Sequence, residues 1–95
     1  MPRYAWVITK DNIDTDAEGV IGPRGATMDA AEIRRDGQMF KIFDADGEFY
    51  YGGYIAGKYS GFEPLDDYGE PNAGATEIRY RGGVPGAIWG KWEAI

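Results

Sequence analysis

Two runs of β-forming, aromatic-rich residues flank an Asp46-Gly47 pair between Gln38 and Gly57, and this stretch is the strongest constraint on the fold. An Asp-Gly pair between two such runs is typical of a two-residue type I′ hairpin, in which both turn residues have positive φ. That register pairs Phe40 with Gly53, and alternate side chains then share a face. The residues predicted to form the buried face are Phe40, Ile42, Phe49, Tyr51 and Ile55.

The opposite face of this hairpin is more apolar than a solvated strand face needs to be. Its side chains are those of Met39, Lys41, Phe43, Tyr50 and Tyr54. We therefore expect another element or a partner to cover it, with Met39, Tyr50 and Tyr54 as candidate apolar contact residues.

Length and composition predict one domain, residues 1–95, that is rich in β-structure. The chain has 15 glycines and 15% aromatic residues, which favour turns and sheet over long helices. It has no cysteine, so disulfides and thiolate metal sites are excluded, and nothing indicates secretion. The apolar run from Tyr4 to Ile8 is too short for a signal peptide or a membrane span. We expect a cytoplasmic protein.

The predicted fold is mainly β, or α+β at most: a small twisted antiparallel sheet that curls into a barrel or roll, with one short helix. Asp29 and Glu32 have the spacing of a helix capping box, and Gly37 is suited to a left-handed helix end. Strands are expected near 3–9, 38–45, 48–57, 76–81 and 87–94, and the helix near 29–36. Residues 10–25 read as an irregular loop with a short edge strand at Val20-Ile21, and no regular element is expected in 62–74.

Acidic residues are concentrated in two loops of a chain with a net charge of −6. A negative surface of this kind repels nucleic acid and anionic membranes and favours a basic protein surface. Asp11, Asp14, Asp16 and Glu18 belong to the first loop, and Glu63, Asp66, Asp67, Tyr68 and Glu70 to the second. These nine residues are the candidate partner-binding residues.

A calcium loop is an alternative for the first acidic segment. Residues 14, 16 and 18 carry oxygen ligands at positions 1, 3 and 5 of an EF-hand pattern, and Gly19 stands at position 6. The pattern fails at position 12, where Gly25 replaces the bidentate glutamate, and a predicted strand precedes it. We therefore assign no metal ligand, and a calcium-stabilised domain stays an alternative.

The absence of histidine and cysteine removes most catalytic arrangements, including Ser-His-Asp triads, Cys-His pairs and histidine-ligated zinc. The chain also lacks a phosphate-binding glycine loop that ends in Lys-Ser/Thr. We expect no enzymatic activity and no cofactor. Direct nucleic-acid binding is disfavoured as well, although Arg79, Arg81 and Lys91 could form a small basic stripe on the last hairpin.

Three stretches together resemble small uncharacterised proteins of actinobacterial genomes and of their phages or other mobile elements. They are Trp6 to Asp11, Asp44 to Gly52 and Pro64 to Ile78, and the third is the most specific. That group has no established activity, so the resemblance implies a mobile-element context and assigns no functional residue.

The function predicted is that of a non-enzymatic acidic binding protein, such as a phage or mobile-element inhibitor that occupies a basic surface of a host or defence complex. The partner would be a protein or a nucleoprotein complex, with no membrane involved. A structural or assembly protein that associates with itself is the alternative. The sequence leaves open the oligomeric state and whether the two acidic loops lie on one side of the fold.

Overall fold

The computed structural model describes residues 3–13, 16–81 and 92–94, and these form one antiparallel sheet with short helical segments on both faces. The strands pair in the order β2-β1-β4-β3-β5-β6. They are β1 (Tyr4–Asp11), β2 (Ile21–Gly22), β3 (Gln38–Phe43), β4 (Phe49–Gly57), β5 (Glu77–Arg81) and β6 (Trp92–Ala94). The predicted mainly-β antiparallel fold is confirmed. Among the described residues no pairing joins β2 to β6, so this sheet is open.

The hairpin of β3 and β4 has the predicted register along its length but a different turn. Phe40 pairs with Gly53, as expected. Gly47 has positive φ and Asp46 does not, and the Gly47 N–H donates to the carbonyl of Asp44. The turn is therefore a three-residue loop with a glycine bulge, and the predicted two-residue type I′ turn is wrong. The Asp44 carboxylate decides this geometry, because it accepts hydrogen bonds from the N–H groups of both Asp46 and Glu48.

A register shift next to this turn moves Phe49 to the other side of the sheet. Phe49 pairs with Phe43, where a continuous register would pair Tyr50 with Phe43. Its ring lies 5.7 Å from that of Phe43, on the face opposite the buried one. The prediction that Phe49 lies in the core is wrong, whereas Phe40, Ile42, Tyr51 and Ile55 are each 0% exposed.

The main core lies on one face of the sheet, called here the loop face because both acidic loops pack against it. Alternate residues of four strands form its floor, as period-two apolar patterns require. They are Trp6, Ile8, Phe40, Ile42, Tyr51, Ile55, Ile78 and Tyr80. The hydroxyl of Tyr80 donates to the carbonyl of Gly61, which ties the chain after β4 to this core.

Helix α1 (Ala30–Asp36) packs on the opposite face of the sheet, called here the helix face. The capping box is confirmed: Asp29 accepts from the Glu32 N–H, and Glu32 accepts from the Asp29 N–H. The predicted left-handed end at Gly37 is wrong, since Gly37 has a φ of −95° and leads straight into β3. Ile33 is fully buried against small residues of β1 and β4: Ala5, Val7 and Ala56.

The segment 62–74, predicted to lack regular structure, is helical and corrects that expectation. A π-helical turn (Leu65–Gly69) continues into α2 (Glu70–Ala73). Pro64 is compatible with it because it lies at the start of the helical run, where the missing N–H has no intrahelical role, and Pro71 is the second residue of α2. The short edge strand expected near Val20-Ile21 is present as β2. Residues 82–91, where the last hairpin loop and much of its final strand were expected, lie outside the described residues.

No helix in the described parts of the chain is long and apolar enough to cross a membrane.

Gly53 is expected to be far more sensitive to substitution than its neighbour Gly52. A Cβ at Gly53 would lie 2.0 Å from the backbone carbonyl oxygen of Val7, whereas one at Gly52 would meet the ring of Phe49 at 3.2 Å. Gly53→Ala should therefore lower the free energy of unfolding by about 1–3 kcal/mol, because two paired backbones must move apart. Gly52→Ala, the matched control, should change it by less than about 1 kcal/mol. Urea denaturation measures both, and equal stability of the two variants would contradict this account.

Candidate functional site

One apolar cluster holds both acidic loops on the loop face. Ala17 from the first loop is 0% exposed and Leu65 from the second is 6% exposed, and both belong to the cluster that contains Trp6 and Tyr51. Ile13 and Val20 pack against the same cluster. The structure therefore places the two loops on the same side of the sheet, a point that the sequence left open.

Asp67 joins the second loop to β1. Its carboxylate accepts hydrogen bonds from the hydroxyl of Tyr4 at 2.7 Å and from the indole Nε1 of Trp6 at 3.0 Å. Burial raises the pKa of Tyr4, and the hydrogen bond to Asp67 and the charge of that carboxylate raise it further. Asp67 is exposed to solvent, but two bonds to the body of the protein fix its position.

Tyr68 is packed between two aromatic rings of the sheet. Its ring centroid lies 5.4 Å from that of Trp6 and 5.3 Å from that of Tyr51. Burial raises the pKa of Tyr68, and the neighbouring Tyr51 and the negative charge of Asp11 act in the same direction. Since Asp11 belongs to the first acidic loop, the two loops approach each other at Tyr68. This residue acts mainly in packing the loop onto the sheet.

Asp11 organises the first loop from inside. It is 8% exposed, and its two oxygens accept from the N–H groups of Ile13 at 3.0 Å and Ala17 at 2.9 Å. The Glu18 carboxylate accepts from the Asp11 N–H at 3.3 Å. Buried backbone donors need such partners, so the Asp11 carboxylate stabilises the loop.

Glu63 has a similar role at the start of the second loop. Its carboxylate accepts from the N–H groups of Ser60 and Gly61, each at 2.7 Å. Partial burial acts to raise the pKa of Glu63, but these hydrogen bonds together outweigh burial and hold the pKa below its usual value. Hydrogen bonds from backbone N–H groups stabilise the charged form of a carboxylate and so lower its pKa.

The carboxylates left facing solvent are fewer than the sequence suggested. We call Asp16, Glu18, Asp66 and Glu70 the acidic surface, because all four residues are exposed on the two loops. Asp67 is exposed too but is not included, since Tyr4 and Trp6 bind its carboxylate. Asp66 and Glu70 are four residues apart on the helical segment, so they project from neighbouring turns. Asp14 lies outside the described residues.

The three apolar contact candidates do not form one patch. Tyr50 packs against the main core cluster on the loop face, whereas Tyr54 packs against the cluster beneath α1. Met39 pairs with Tyr54 across β3 and β4. The cover expected for the second face of the hairpin is therefore supplied in part by α1.

Phe62 is a surface feature that the sequence reasoning missed. Its side chain is 45% exposed, the most among the large hydrophobic residues described, whereas Leu65 of the same loop is buried. An open groove of about 570 Å³ lies beside it. The turn between β3 and β4 and the start of β5 line this groove, and three acidic residues, Asp44, Asp46 and Glu77, contribute to it.

Across residues 3–13, 16–81 and 92–94, no group of three or more His, Cys, Asp or Glu side chains is arranged to hold a metal ion. Asp14 and Thr15, with which the EF-hand-like pattern begins, lie outside these ranges.

Comparison of the chain with known proteins returned no match to any protein-family profile, curated protein or solved structure. The arguments about function below therefore rest on the geometry of this molecule.

Removing the Asp67 carboxylate should destabilise the protein, and removing that of Asp66 should not. Asp67→Ala loses two hydrogen bonds to β1, so the free energy of unfolding should fall by about 1–2 kcal/mol. Asp66→Ala removes a neighbouring exposed carboxylate and should change it by less than about 0.5 kcal/mol. Chemical denaturation followed by Trp fluorescence compares the two, and an equal effect of both substitutions would show that Asp67 does not anchor the loop.

The contribution of Glu63 to stability should depend on pH. Its pKa is lower in the folded protein than in the unfolded chain, so its stabilising effect is complete above the usual glutamate pKa of about 4.3 and is lost as the pH falls through the lower folded value. Glu63→Gln should therefore have a lower melting temperature than the wild type at pH 7, and the difference should shrink below pH 4. A difference that persists unchanged at pH 2.5 would contradict this explanation.

Proposed function

We propose that this protein is a non-enzymatic binding protein whose acidic surface docks onto a basic surface of a partner protein or nucleoprotein complex. The observation that carries the proposal is the placement of exposed carboxylates from two separate loops on one side of a single sheet. Clustered negative charge on a firm support steers association with a positively charged partner and raises the association rate.

The firmness of this support is itself an argument for binding. Asp67, Asp11 and Glu63 are engaged in hydrogen bonds within the protein, so they fix the loops that present the four exposed carboxylates. A surface that is ordered before binding loses less conformational entropy when the partner arrives.

Phe62 adds an apolar element next to the negative charge. It stands one residue before Glu63, at the start of the second loop, and its exposed ring borders the groove that Asp44 and Asp46 help to line. Aromatic side chains surrounded by polar groups are frequent sources of binding energy in interfaces. We infer that Phe62 contacts the partner at the edge of the acidic surface.

The biological setting we propose is a phage or mobile element acting in the host cytoplasm, with a host or defence complex as the target. The resemblance of three stretches of the sequence to actinobacterial and mobile-element proteins supports this setting. A basic surface that normally contacts nucleic acid has the charge that the acidic surface requires.

Affinity capture from host lysate at low and moderate salt tests this proposal. The test variant is Asp66→Asn/Glu70→Gln, and the control is Asp36→Asn/Glu48→Gln, which removes the same charge from exposed residues outside the two acidic loops and outside the groove beside Phe62. We expect the wild type and the control to capture the same basic protein or complex, with capture lost as salt rises. The test variant should bind it roughly 2- to 30-fold more weakly, the effect of losing two exposed ion pairs.

Equal capture by the test variant and the wild type would refute the assignment of the acidic surface. Capture that is insensitive to salt would also count against it, because exposed ion pairs are screened.

A further inference from the structure

The part of the helix face formed by β3, β4 and β5 combines positive charge with apolar side chains. The residues concerned alternate with core residues along β3 and β5, and Phe49 joins them through the register shift of β4. We call this surface the cationic face: Met39, Lys41, Phe43, Phe49, Arg79 and Arg81.

Each cation of this surface lies on an apolar neighbour. The Nζ of Lys41 is 5.6 Å from the ring centroid of Phe49, and the Cζ of Arg79 is 4.5 Å from that of Phe43. Arg81 contacts the sulfur of Met39 at 3.9 Å. Such contacts order long side chains while leaving them charged. The Glu77 carboxylate pairs with Arg79, and Asp44 and Asp46 line the groove that Arg79 also lines. On the described parts of β3 and β5, this face carries the positive charges of Lys41, Arg79 and Arg81 and the negative charge of Glu77.

Helix α1 covers a different part of the helix face. Its buried residue Ile33 packs on Ala5, Val7 and Ala56, which belong to β1 and the far end of β4. Exposed Arg34 lies at the border, 5.7 Å from the centroid of the Tyr54 ring, on a helix that also carries Glu32, Arg35 and Asp36 and so adds no net charge. All six side chains of the cationic face are themselves partly exposed.

We propose that the cationic face is the docking surface for the acidic surface of a second copy of this chain. The two surfaces have opposite charge and lie on opposite faces of the same sheet. A contact between unlike surfaces on opposite sides of a molecule is heterologous, so copies join head to tail and each added copy presents a new surface.

The spacing of the charges agrees with this pairing. Asp66 and Glu70 are four residues apart on a helical segment, a separation that brings Cβ atoms to about 5–6 Å in a helix. Lys41 and Arg79 are directly paired across β3 and β5, where opposed Cβ atoms lie about 4.5–5.5 Å apart. Two carboxylates of one copy can therefore reach Lys41 and Arg79 of the next, where they compete with Glu77 for the Arg79 guanidinium.

The association should be weak and sensitive to salt. Exposed ion pairs contribute little individually and are screened by salt. The net charge of −6 also opposes contact between copies, so the local pairing of unlike charges must overcome a general repulsion. Cations beside aromatic rings can also bind single-stranded nucleic acid, but the same net charge disfavours that ligand.

Self-association and the binding of a basic partner compete, because both use the acidic surface. The inference does not depend on that partner, since it can be tested with the purified chain alone. If the purified chain does not associate with itself, the proposed function is unaffected. If no basic partner is captured, the inference of self-association is unaffected.

Sedimentation equilibrium of the full chain, up to millimolar concentration, is the test. Two neutralised variants each block one surface: Asp66→Asn/Glu70→Gln on the acidic surface and Lys41→Gln/Arg79→Gln on the cationic face. For the wild type at low salt, the average mass should rise beyond twice that of the monomer, and moderate salt should reverse this rise. Each variant alone should associate roughly 2- to 30-fold more weakly, the effect of losing two exposed ion pairs.

An equal mixture of the two variants distinguishes head-to-tail association from a symmetric dimer. Each variant keeps the surface that the other lacks, so the mixture should form a one-to-one pair and stop there. A mixture that stays monomeric, or variants that associate like the wild type, would overturn the proposal. Circular dichroism of both variants shows whether each is folded, and Lys41→Arg/Arg79→Lys, which keeps the charge, should restore association.

A wild type that stays monomeric at every concentration would also overturn it. In that case titration with a fluorescent sixteen-residue oligothymidylate shows whether the cationic face takes single-stranded DNA instead. Binding that is lost in Lys41→Gln/Arg79→Gln would assign the surface to nucleic acid.

Discussion

The close approach of β4 to its two neighbours supports the rest of this structure. Gly53 pairs with Ile8 of β1 and with Phe40 of β3, and the space that a side chain would take is filled by the Val7 carbonyl and the Phe40 ring. This contact lets Phe40 become fully buried, and the other core residues of β1, β3 and β5 pack around it. Both faces of the molecule depend on this central strand, because β4 also carries the small residue Ala56 against which α1 packs.

The sheet separates charges that are mixed along the chain. The acidic loops are held on the loop face, whereas the three cation–π contacts recorded among the described residues all lie on the helix face. The alternation of side chains along a strand explains this separation, since neighbouring residues point to opposite sides. A protein with a net charge of −6 can in this way present one acidic and one cationic surface.

The carboxylates of the acidic loops divide into two roles. Asp11, Glu63 and Asp67 accept hydrogen bonds from the backbone or from side chains of β1 and so shape the loops. Asp16, Asp66 and Glu70 remain exposed, and Glu18 combines exposure with one bond to the backbone of Asp11. The carboxylates of Asp11, Glu63 and Asp67 thus hold the loops that present the acidic surface. Substituting residues of both groups at once would mix effects on folding with effects on binding.

Local patterns of residues were sufficient to predict the strands, the capped helix and the two acidic loops. The Asp29 and Glu32 capping box and the pairing of Phe40 with Gly53 depend on residues that are close in sequence or on one simple alternation. The position of Phe49, the helical form of 65–73 and the exposure of Phe62 were not predictable in this way. The first depends on the Asp44 carboxylate within the turn, and the other two depend on which side chain of the second loop fills the core.

The different roles of Asp66 and Asp67 were decided by tertiary structure alone. Asp67 is bound by Tyr4 and Trp6, more than 60 positions away, whereas adjacent Asp66 faces solvent. The sequence supplies two similar carboxylates side by side, and nothing in their local pattern distinguishes them. Hydrogen bonds between distant segments form only once the sheet has brought those segments together. The number of negative charges was therefore evident from the residues, whereas the carboxylate that binds to β1 was not.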